Sequence, residues 1–334
     1  MASSWVLSPR VRALARRARG RLPVSRARYD DLARRHHELV LARDRSGGAF
    51  EMWVPPGHFY SPFPDLAEVE RRAAQVWNAD GDPTGIDLRE EKQLALFDTL
   101  AEILDDDLPF PAGPSGEDRN ATRYYFENPA YSWSDGMVLH ALLRHLRPRH
   151  VIEVGSGYSS AMTLDTTERW LDAGTDGPVE VTFVEPYSEL LRSLLRPGDE
   201  ERVRIHEIAV QDVPFSVFEA LGAGDVLFID STHVVKAGSD VNHLLFEVLP
   251  RLSAGVWIHL HDIFFPFEYP RDWVLEGRAW HEVYVLRALL TGNDAFEIRW
   301  FQSYMWMRHR TLLEGRLPAM AKNPGGNIWL QKVA

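Results

Sequence analysis

Short apolar runs recur along the second half of this 334-residue chain. They predict β-strands near residues 150–154, 180–184, 203–207, 225–229, 255–260, 296–301 and 327–331. Most of the segments between these runs have apolar residues at helical spacing, and the last clear helix is predicted over residues 279–290. Strands that alternate with helices predict an α/β fold with a mostly parallel sheet.

The first 136 residues have a different pattern. Helical spacing predicts helices over residues 65–78, 88–105 and 136–146, whereas prolines within residues 53–62 disfavour both helix and central strand. We therefore predict a basic helical arm over residues 1–48, a helical and aromatic cap over residues 49–136, and an α/β domain over residues 137–334.

The first predicted strand runs into a glycine-rich turn, Gly155-Ser156-Gly157. Glycine has no Cβ and tolerates positive φ, so the backbone can turn sharply and approach a ligand closely. The next strand ends in Glu185, which could accept hydrogen bonds from both hydroxyls of a ribose. The spacing admits a dinucleotide or S-adenosylmethionine (SAM). Ser160 stands where a dinucleotide site would have its third glycine, which favours SAM.

Glu153-Val-Gly-Ser-Gly157 resembles motif I of the class I SAM-dependent methyltransferases. In that family the glycine loop passes under the methionine moiety and the acid after the second strand holds the ribose. The resemblance implies a cofactor site built from Glu153, Gly155, Ser156, Gly157 and Glu185. It also implies a Rossmann-like, seven-stranded, mostly parallel sheet with helices on both faces and a reversed edge hairpin, here preceded by the helical cap.

The segment after the third predicted strand contains Gln211-Asp212-Val213. By the same resemblance, Asp212 occupies the place where the family often contacts adenine. An acidic surface turn is the alternative.

Polar side chains follow the fourth and fifth predicted strands. Asp230 and His233 come after the fourth, and His259, His261 and Asp262 end the fifth. One crossover helix fits between the two strands, so their carboxyl ends can be neighbours in the crevice where open α/β sheets bind ligands.

These two clusters resemble the metal-dependent small-molecule O-methyltransferases, including catechol-type and macrolide-sugar enzymes. In those enzymes an acid after strand four and two polar residues after strand five hold magnesium. By position, the resemblance implies Asp230, His261 and Asp262 as metal ligands and His233 as the general base. We also count Asp230 among the catalytic and cofactor-binding residues.

His261 stands where related enzymes have a carboxylate or amide, and imidazole is a poor ligand for Mg²⁺. Three alternatives follow: Mg²⁺ held by Asp230, Asp262 and water, a softer ion such as Mn²⁺, Fe²⁺ or Zn²⁺, or no metal.

The assignment of His233 as a base also follows from its chemistry. A hydroxyl attacks a sulfonium methyl poorly until its proton is removed, and histidine can accept a proton near neutral pH. Asp230 or Asp262 could orient the imidazole. A structural histidine that caps the following segment is the alternative.

Several aromatic and polar residues could contact substrate, although such residues often simply pack. The candidates are His58, Tyr60, Tyr125 and Tyr131 in the cap, and Phe264 beside the fifth strand.

Charge is distributed unevenly along the chain. The net charge is −11, yet residues 1–45 contain twelve arginines and four acidic residues. We expect the arm to pack on its acidic body or to form a homo-oligomer, with disorder or an anionic partner as alternatives. The acidic body disfavours nucleic acid as a partner.

The chain lacks cysteine, a long apolar stretch and a signal-like N-terminus, so we expect no disulfide, no membrane span and a cytoplasmic location.

Three functions remain open from the sequence alone. The leading one is methyl transfer from SAM to a hydroxyl of a small natural product. The alternatives are another reaction of the same cofactor, such as cyclisation that releases methylthioadenosine, and a non-catalytic SAM-binding module.

Overall fold

The seven apolar runs form the strands of one sheet in the computed structural model, which describes residues 53–81, 83–105, 108, 110–114, 122–172 and 177–334. Each strand lies within two residues of its predicted position. The strands are β1 His150–Val154, β2 Glu180–Val184, β3 Val203–His206, β4 Val226–Ile229, β5 Trp257–His261, β6 Phe296–Phe301 and β7 Asn327–Lys332.

The strand order is β3-β2-β1-β4-β5-β7-β6. The strands from β3 to β5 are parallel, and β7 runs antiparallel to both β5 and β6. Every residue of β4 and β5 is buried, which explains their nearly continuous apolar sequence. The prediction of a Rossmann-like, seven-stranded, mostly parallel sheet with a reversed edge hairpin is therefore confirmed.

Helices pack around the sheet. The α-helices are α1 Leu66–Arg71, α2 Ala73–Val76, α3 Glu90–Asp105, α4 Trp133–Leu146, α5 Tyr158–Thr166, α6 Glu189–Leu194, α7 Asp199–Arg202, α8 Asp240–His243, α9 Arg271–Leu275, α10 Glu282–Leu290 and α11 Gln302–Arg316. Short 3₁₀ segments lie at Val210–Asp212, Phe215–Ala220, Leu249–Arg251 and Pro318–Lys322, and π-helical turns at Thr167–Leu171 and Leu244–Val248. Across these described ranges, no helix is both long and apolar enough to cross a membrane.

The chain divides into two compact units, residues 1–61 and 62–334. The described part of the first unit contains Trp53 stacked on Tyr60, and both rings are exposed. The predicted arm over residues 1–48 lies outside the described residues.

Helix α3, predicted as part of the cap, belongs to the second unit together with the sheet. Phe97 of α3 stacks on Trp300 of β6 with ring centroids 6.1 Å apart. The side-chain oxygen of Gln93 accepts a hydrogen bond from the backbone N–H of Phe301 at 2.7 Å. The part of the predicted cap that carries α3 is therefore built into the edge of the sheet.

A buried ionic network ties the segment before α4 to two helices. The guanidinium of Arg123 donates to Asp199 at 2.8 and 2.6 Å, to Asp165 at 2.7 Å and to Glu168 at 2.8 Å. Asp165 also accepts hydrogen bonds from the backbone N–H groups of Arg123 and Tyr124. Because Arg123, Asp165 and Asp199 are buried, their charges depend on one another for compensation.

Candidate active site

The first glycine of the turn after β1 is required by the protein's own packing. Gly155 has φ of +84°, and a Cβ there would lie 1.7 Å from the carbonyl oxygen of Asp230. Gly157 has an extended backbone, and its added Cβ would meet only Leu190, at 3.4 Å. The turn after β1 thus touches Asp230, the residue that follows β4, at the point where the strand order reverses.

Glu153 lies beneath this turn and is fully buried. One of its carboxylate oxygens accepts hydrogen bonds from the hydroxyls of Ser159 and Ser160 at 2.6 and 2.8 Å. Burial raises the pKa of Glu153 to about 8, although the two hydroxyls lower it. Glu153 does not line the cleft described next. Its hydrogen bonds with Ser159 and Ser160 instead support the start of α5.

A cleft of about 440 Å³ opens beside the glycine turn, within the range of small-molecule sites. Glu185 lines it, accepting hydrogen bonds from the backbone N–H groups of Ser156 at 3.1 Å and Tyr187 at 2.8 Å. Gly155, Tyr187, Gln211, Asp230 and Lys236 also line the cleft. The predicted residues Gly155, Glu185 and Asp230 therefore meet at one cleft.

Asp212, the predicted adenine contact, is exposed and does not line the cleft. Its neighbour Gln211 does, and the side-chain amide of Gln211 donates to the carbonyl of Gly238 at 2.8 Å. Successive side chains of a 3₁₀ turn face directions about 120° apart. Gln211 therefore faces the cleft, whereas the next residue, Asp212, faces away from it.

His233 lies among three carboxylates. Its Nε2 is 3.4 Å from Asp230 Oδ1 and 3.7 Å from Asp262 Oδ2, and its Nδ1 is 2.8 Å from Glu282 Oε2. The ring is buried and packs against Trp280 with centroids 4.5 Å apart. Both His233 and Asp262 have positive φ, a costly backbone conformation that is concentrated at functional sites.

The surrounding carboxylates control the protonation of His233. Burial lowers its pKa, but the hydrogen bonds and negative charges of Asp230 and Glu282 outweigh burial and raise the pKa to about 10. Burial raises the pKa of Asp230, but the neighbouring His261 and His233 outweigh burial, and the net pKa is lowered. In the protein without ligands, His233 is therefore protonated at neutral pH.

His261 and Asp262 extend this cluster at the end of β5. His261 Nε2 is 3.6 Å from Asp262 Oδ1. A further acid, Asp135 in the first turn of α4, is buried nearby and accepts hydrogen bonds from Asn327 at 2.6 Å and the backbone of Gly326 at 3.1 Å. Burial raises the pKa of Asp135, and the charge of His261 opposes that rise.

The predicted metal ligands Asp230, His261 and Asp262 do come together, but each pairs with a neighbouring side chain. The nearest pairs are His233 with Asp230 and Asp262, and His261 with Asp262. Over the ranges that the structure describes, no group of three or more His, Asp or Glu side chains has the arrangement of a metal site. The donor set therefore does not fit the metal that the resemblance implies.

The predicted substrate residues have different environments. Tyr131 is buried with its ring 5.0 Å from His261. Tyr125 is half-buried, with its hydroxyl 3.3 Å from that of Tyr158 at the start of α5. Phe264 is half-buried against Trp273. His58 and Tyr60 belong to the first compact unit, so their role remains a prediction.

Sequence reasoning missed Glu282 and Asp135. Each acid lies in the first turn of a helix, where acids are common because they favour the positive end of the helix dipole. Nothing in the local sequence distinguishes them from ordinary helix-start acids.

Two sequence comparisons find proteins that resemble this chain. Residues 152–263 match a family profile described as a methyltransferase domain. An uncharacterized protein from Archaeoglobus fulgidus is 33% identical over 191 residues, which cover 55% of this chain and 80% of that protein.

The solved structures that this chain matches include three methyltransferases. The O-methyltransferase TomG from Streptomyces achromogenes, solved with SAM, is 14% identical, with 80% of this chain and 96% of TomG covered and a TM-score of 0.39. The methyltransferase PaMTH1 from Podospora anserina is 15% identical, with 85% and 100% covered and a TM-score of 0.40. An O-methyltransferase from Bacillus cereus is 14% identical, with 80% and 97% covered and a TM-score of 0.36.

At 33% identity over 80% of its length, the archaeal relative shares a family with this chain. The profile match runs from within β1 to just beyond the end of β5. The chain therefore belongs to the same family as the Archaeoglobus fulgidus protein, and its residues 152–263 match the methyltransferase-domain profile.

Proposed function

We propose that this protein transfers a methyl group from SAM to a hydroxyl of a small molecule, with His233 as the general base. One observation carries the proposal: Asp230 lines the cleft beside the glycine turn and also lies 3.4 Å from Nε2 of His233. The cofactor cleft and the basic nitrogen are thus adjacent.

The cleft has residues suited to each part of the cofactor. Gly155 would pass under the methionine moiety, Glu185 would accept hydrogen bonds from the ribose hydroxyls, and Gln211 borders the place for adenine. When bound, SAM supplies an electrophilic methyl group on a positively charged sulfur.

Proton transfer is the task of His233. In its neutral form, Nε2 would accept the proton of the acceptor hydroxyl while the oxygen forms its bond to the methyl carbon. The methyl–sulfur bond would break at the same time, its electron pair would stay on sulfur, and S-adenosylhomocysteine would leave. Glu282 holds Nδ1 at 2.8 Å, which fixes the ring so that Nε2 faces Asp230 and Asp262. Glu282 is therefore a positioning residue. No step is routed through a metal, because the donor set does not fit one.

We propose that the acceptor is a small natural product with a free hydroxyl. Phe264, half-buried just after β5, is a proposed contact for it, together with Tyr125 and Tyr131. A homo-oligomer formed through residues 1–48 remains a prediction.

The test combines binding and turnover. Calorimetry should detect SAM binding to the wild type and weaker binding to Glu185→Ala. His233→Ala should bind SAM normally while losing most methyl transfer from labelled SAM to a panel of hydroxyl acceptors.

The product identifies the reaction class. S-adenosylhomocysteine supports methyl transfer, whereas methylthioadenosine in its place would show another use of the cofactor. The absence of any SAM binding would remove the proposal.

A further inference from the structure

The two acids at the ends of β4 and β5 share one partner. Asp230 Oδ1 and Asp262 Oδ2 are both within ion-pair distance of Nε2 of His233, at 3.4 and 3.7 Å. The resemblance to metal-dependent O-methyltransferases implies a divalent ion bound by these two carboxylates together with His261. The imidazole nitrogen thus lies between the groups that would have to converge on the ion.

His233 is held in this position from several sides. Glu282, itself buried, bonds to Nδ1 at 2.8 Å, and Trp280 packs on the ring. The carbonyl of His233 accepts hydrogen bonds from the backbone N–H groups of His281 and Glu282 at 2.9 and 3.2 Å. Moving the ring away would break the Glu282 contact and leave a buried carboxylate unpaired, which is costly.

The second imidazole does not complete a metal site either. His261 Nε2 lies 3.6 Å from Asp262 Oδ1, so Asp262 has an imidazole beside each oxygen. A hard ion needs several oxygen ligands at about 2.0–2.6 Å around one point. Here the carboxylate oxygens face ring nitrogens.

We propose that His233 takes the place of a divalent cation between Asp230 and Asp262, so that the site operates without a metal. This proposal rests on the proposed methyl transfer for its functional meaning. Its structural content, that two strand-end carboxylates are occupied by an imidazole, stands independently of the reaction.

The proposal is tested by titrating Mn²⁺ into the full-length protein after treatment with EDTA and desalting. Mn²⁺ suits the test because it accepts both oxygen and imidazole ligands. Free Mn²⁺ is followed by electron paramagnetic resonance, with Asp262→Asn as the matched variant. We expect the free-ion signal to grow in proportion to added Mn²⁺ from the first addition, identically in both proteins.

Uptake of one Mn²⁺ per chain by the wild type, lost in Asp262→Asn, would overturn the proposal. Turnover gives a second measurement, with equal rates expected in the presence and absence of EDTA. Loss of turnover with EDTA and recovery with Mg²⁺ or Mn²⁺ would also overturn it. A protein that fails to bind SAM would instead remove the proposed function, and the Mn²⁺ titration would still decide the occupancy of the carboxylates.

Discussion

His233 connects three acids that come from three different parts of the chain. Asp230 follows β4, Asp262 follows β5, and Glu282 begins α10. Asp230 and Glu282 stabilise the protonated ring, and burial alone would have the opposite effect. His233, the proposed base, is therefore mostly protonated at neutral pH, and its titration lies in a measurable range.

We expect kcat/KM to rise with pH above neutrality, because only the neutral ring of His233 can accept a proton and its pKa is raised to about 10. Glu282→Gln keeps the side-chain size but removes a negative charge, so the rise should move to lower pH. The control is Glu276→Gln, an exposed acid paired with Arg278, which should leave the profile unchanged. Identical profiles for the wild type and Glu282→Gln would contradict the assignment.

Folding stability should depend on the same group. Because the pKa of His233 is raised on folding, its contribution is fully present below the unfolded pKa of about 6.5. The contribution is lost as pH rises through about 10. The difference in urea midpoint between the wild type and His233→Gln should therefore shrink between these two pH values. A constant difference would argue against the shift.

The two glycines of the turn should respond differently to alanine. Gly155→Ala should unfold or strongly destabilise the protein, because the left-handed backbone alone costs ~1–3 kcal/mol and the Cβ would collide with the Asp230 carbonyl. Gly157→Ala should fold normally, since its backbone is extended and its Cβ has room. Thermal melts of both variants decide, and equal melting temperatures would refute the packing argument.

At the scale of residues, the sequence predicted groups that directly follow strands. Gly155, Glu185, Asp230 and His233 meet at or beside one cleft because parallel strands end at the same edge of a sheet. Glu282 could not be predicted, since its contact with His233 spans 49 residues and depends on how α10 packs.

Helices differed from strands in how well their sequence pattern revealed them. Helix α10 has a clear apolar face and was predicted. Helix α11 was not, because its buried residues are mostly confined to the first turn, Gln302–Met305, and its backbone is kinked at His309. The predicted helix over residues 65–78 is instead two short helices separated at Arg72. Periodicity detects a helix only where one face is buried along its length.

The Arg123 network should make a large contribution to the docking of α5 and α7. Arg123→Met would remove the guanidinium from the buried Asp199 and leave Asp165 with only Arg196, at 3.4 Å, so we expect a loss of ~3–5 kcal/mol in the free energy of unfolding. The comparison is Arg192→Met, whose ion pairs with Glu200 and Glu207 are exposed and should contribute little. Urea unfolding measures both, and similar losses would contradict this account.

At the scale of the whole molecule, the second compact unit should fold without the first. A fragment of residues 62–334 retains the sheet, helix α3 and all residues that line the cleft, so it should unfold cooperatively and bind SAM. A fragment of residues 137–334 lacks α3 and its contacts with β6, and it should be markedly less stable. Circular dichroism melts and calorimetry decide, and a stable shorter fragment would support the predicted boundary at residue 136.

Asp230 faces the cleft on one side and His233 on the other. In the proposed reaction, SAM in the cleft and the acceptor beside His233 would both lie next to this carboxylate. Their affinities would then be linked, and each ligand would change the affinity for the other by the same factor. The positive charge of SAM would partly neutralise Asp230, and this effect would be lost when methyl transfer removes the charge from sulfur. Asp230 would then favour both the binding of SAM and the release of S-adenosylhomocysteine, which would be held less tightly than SAM.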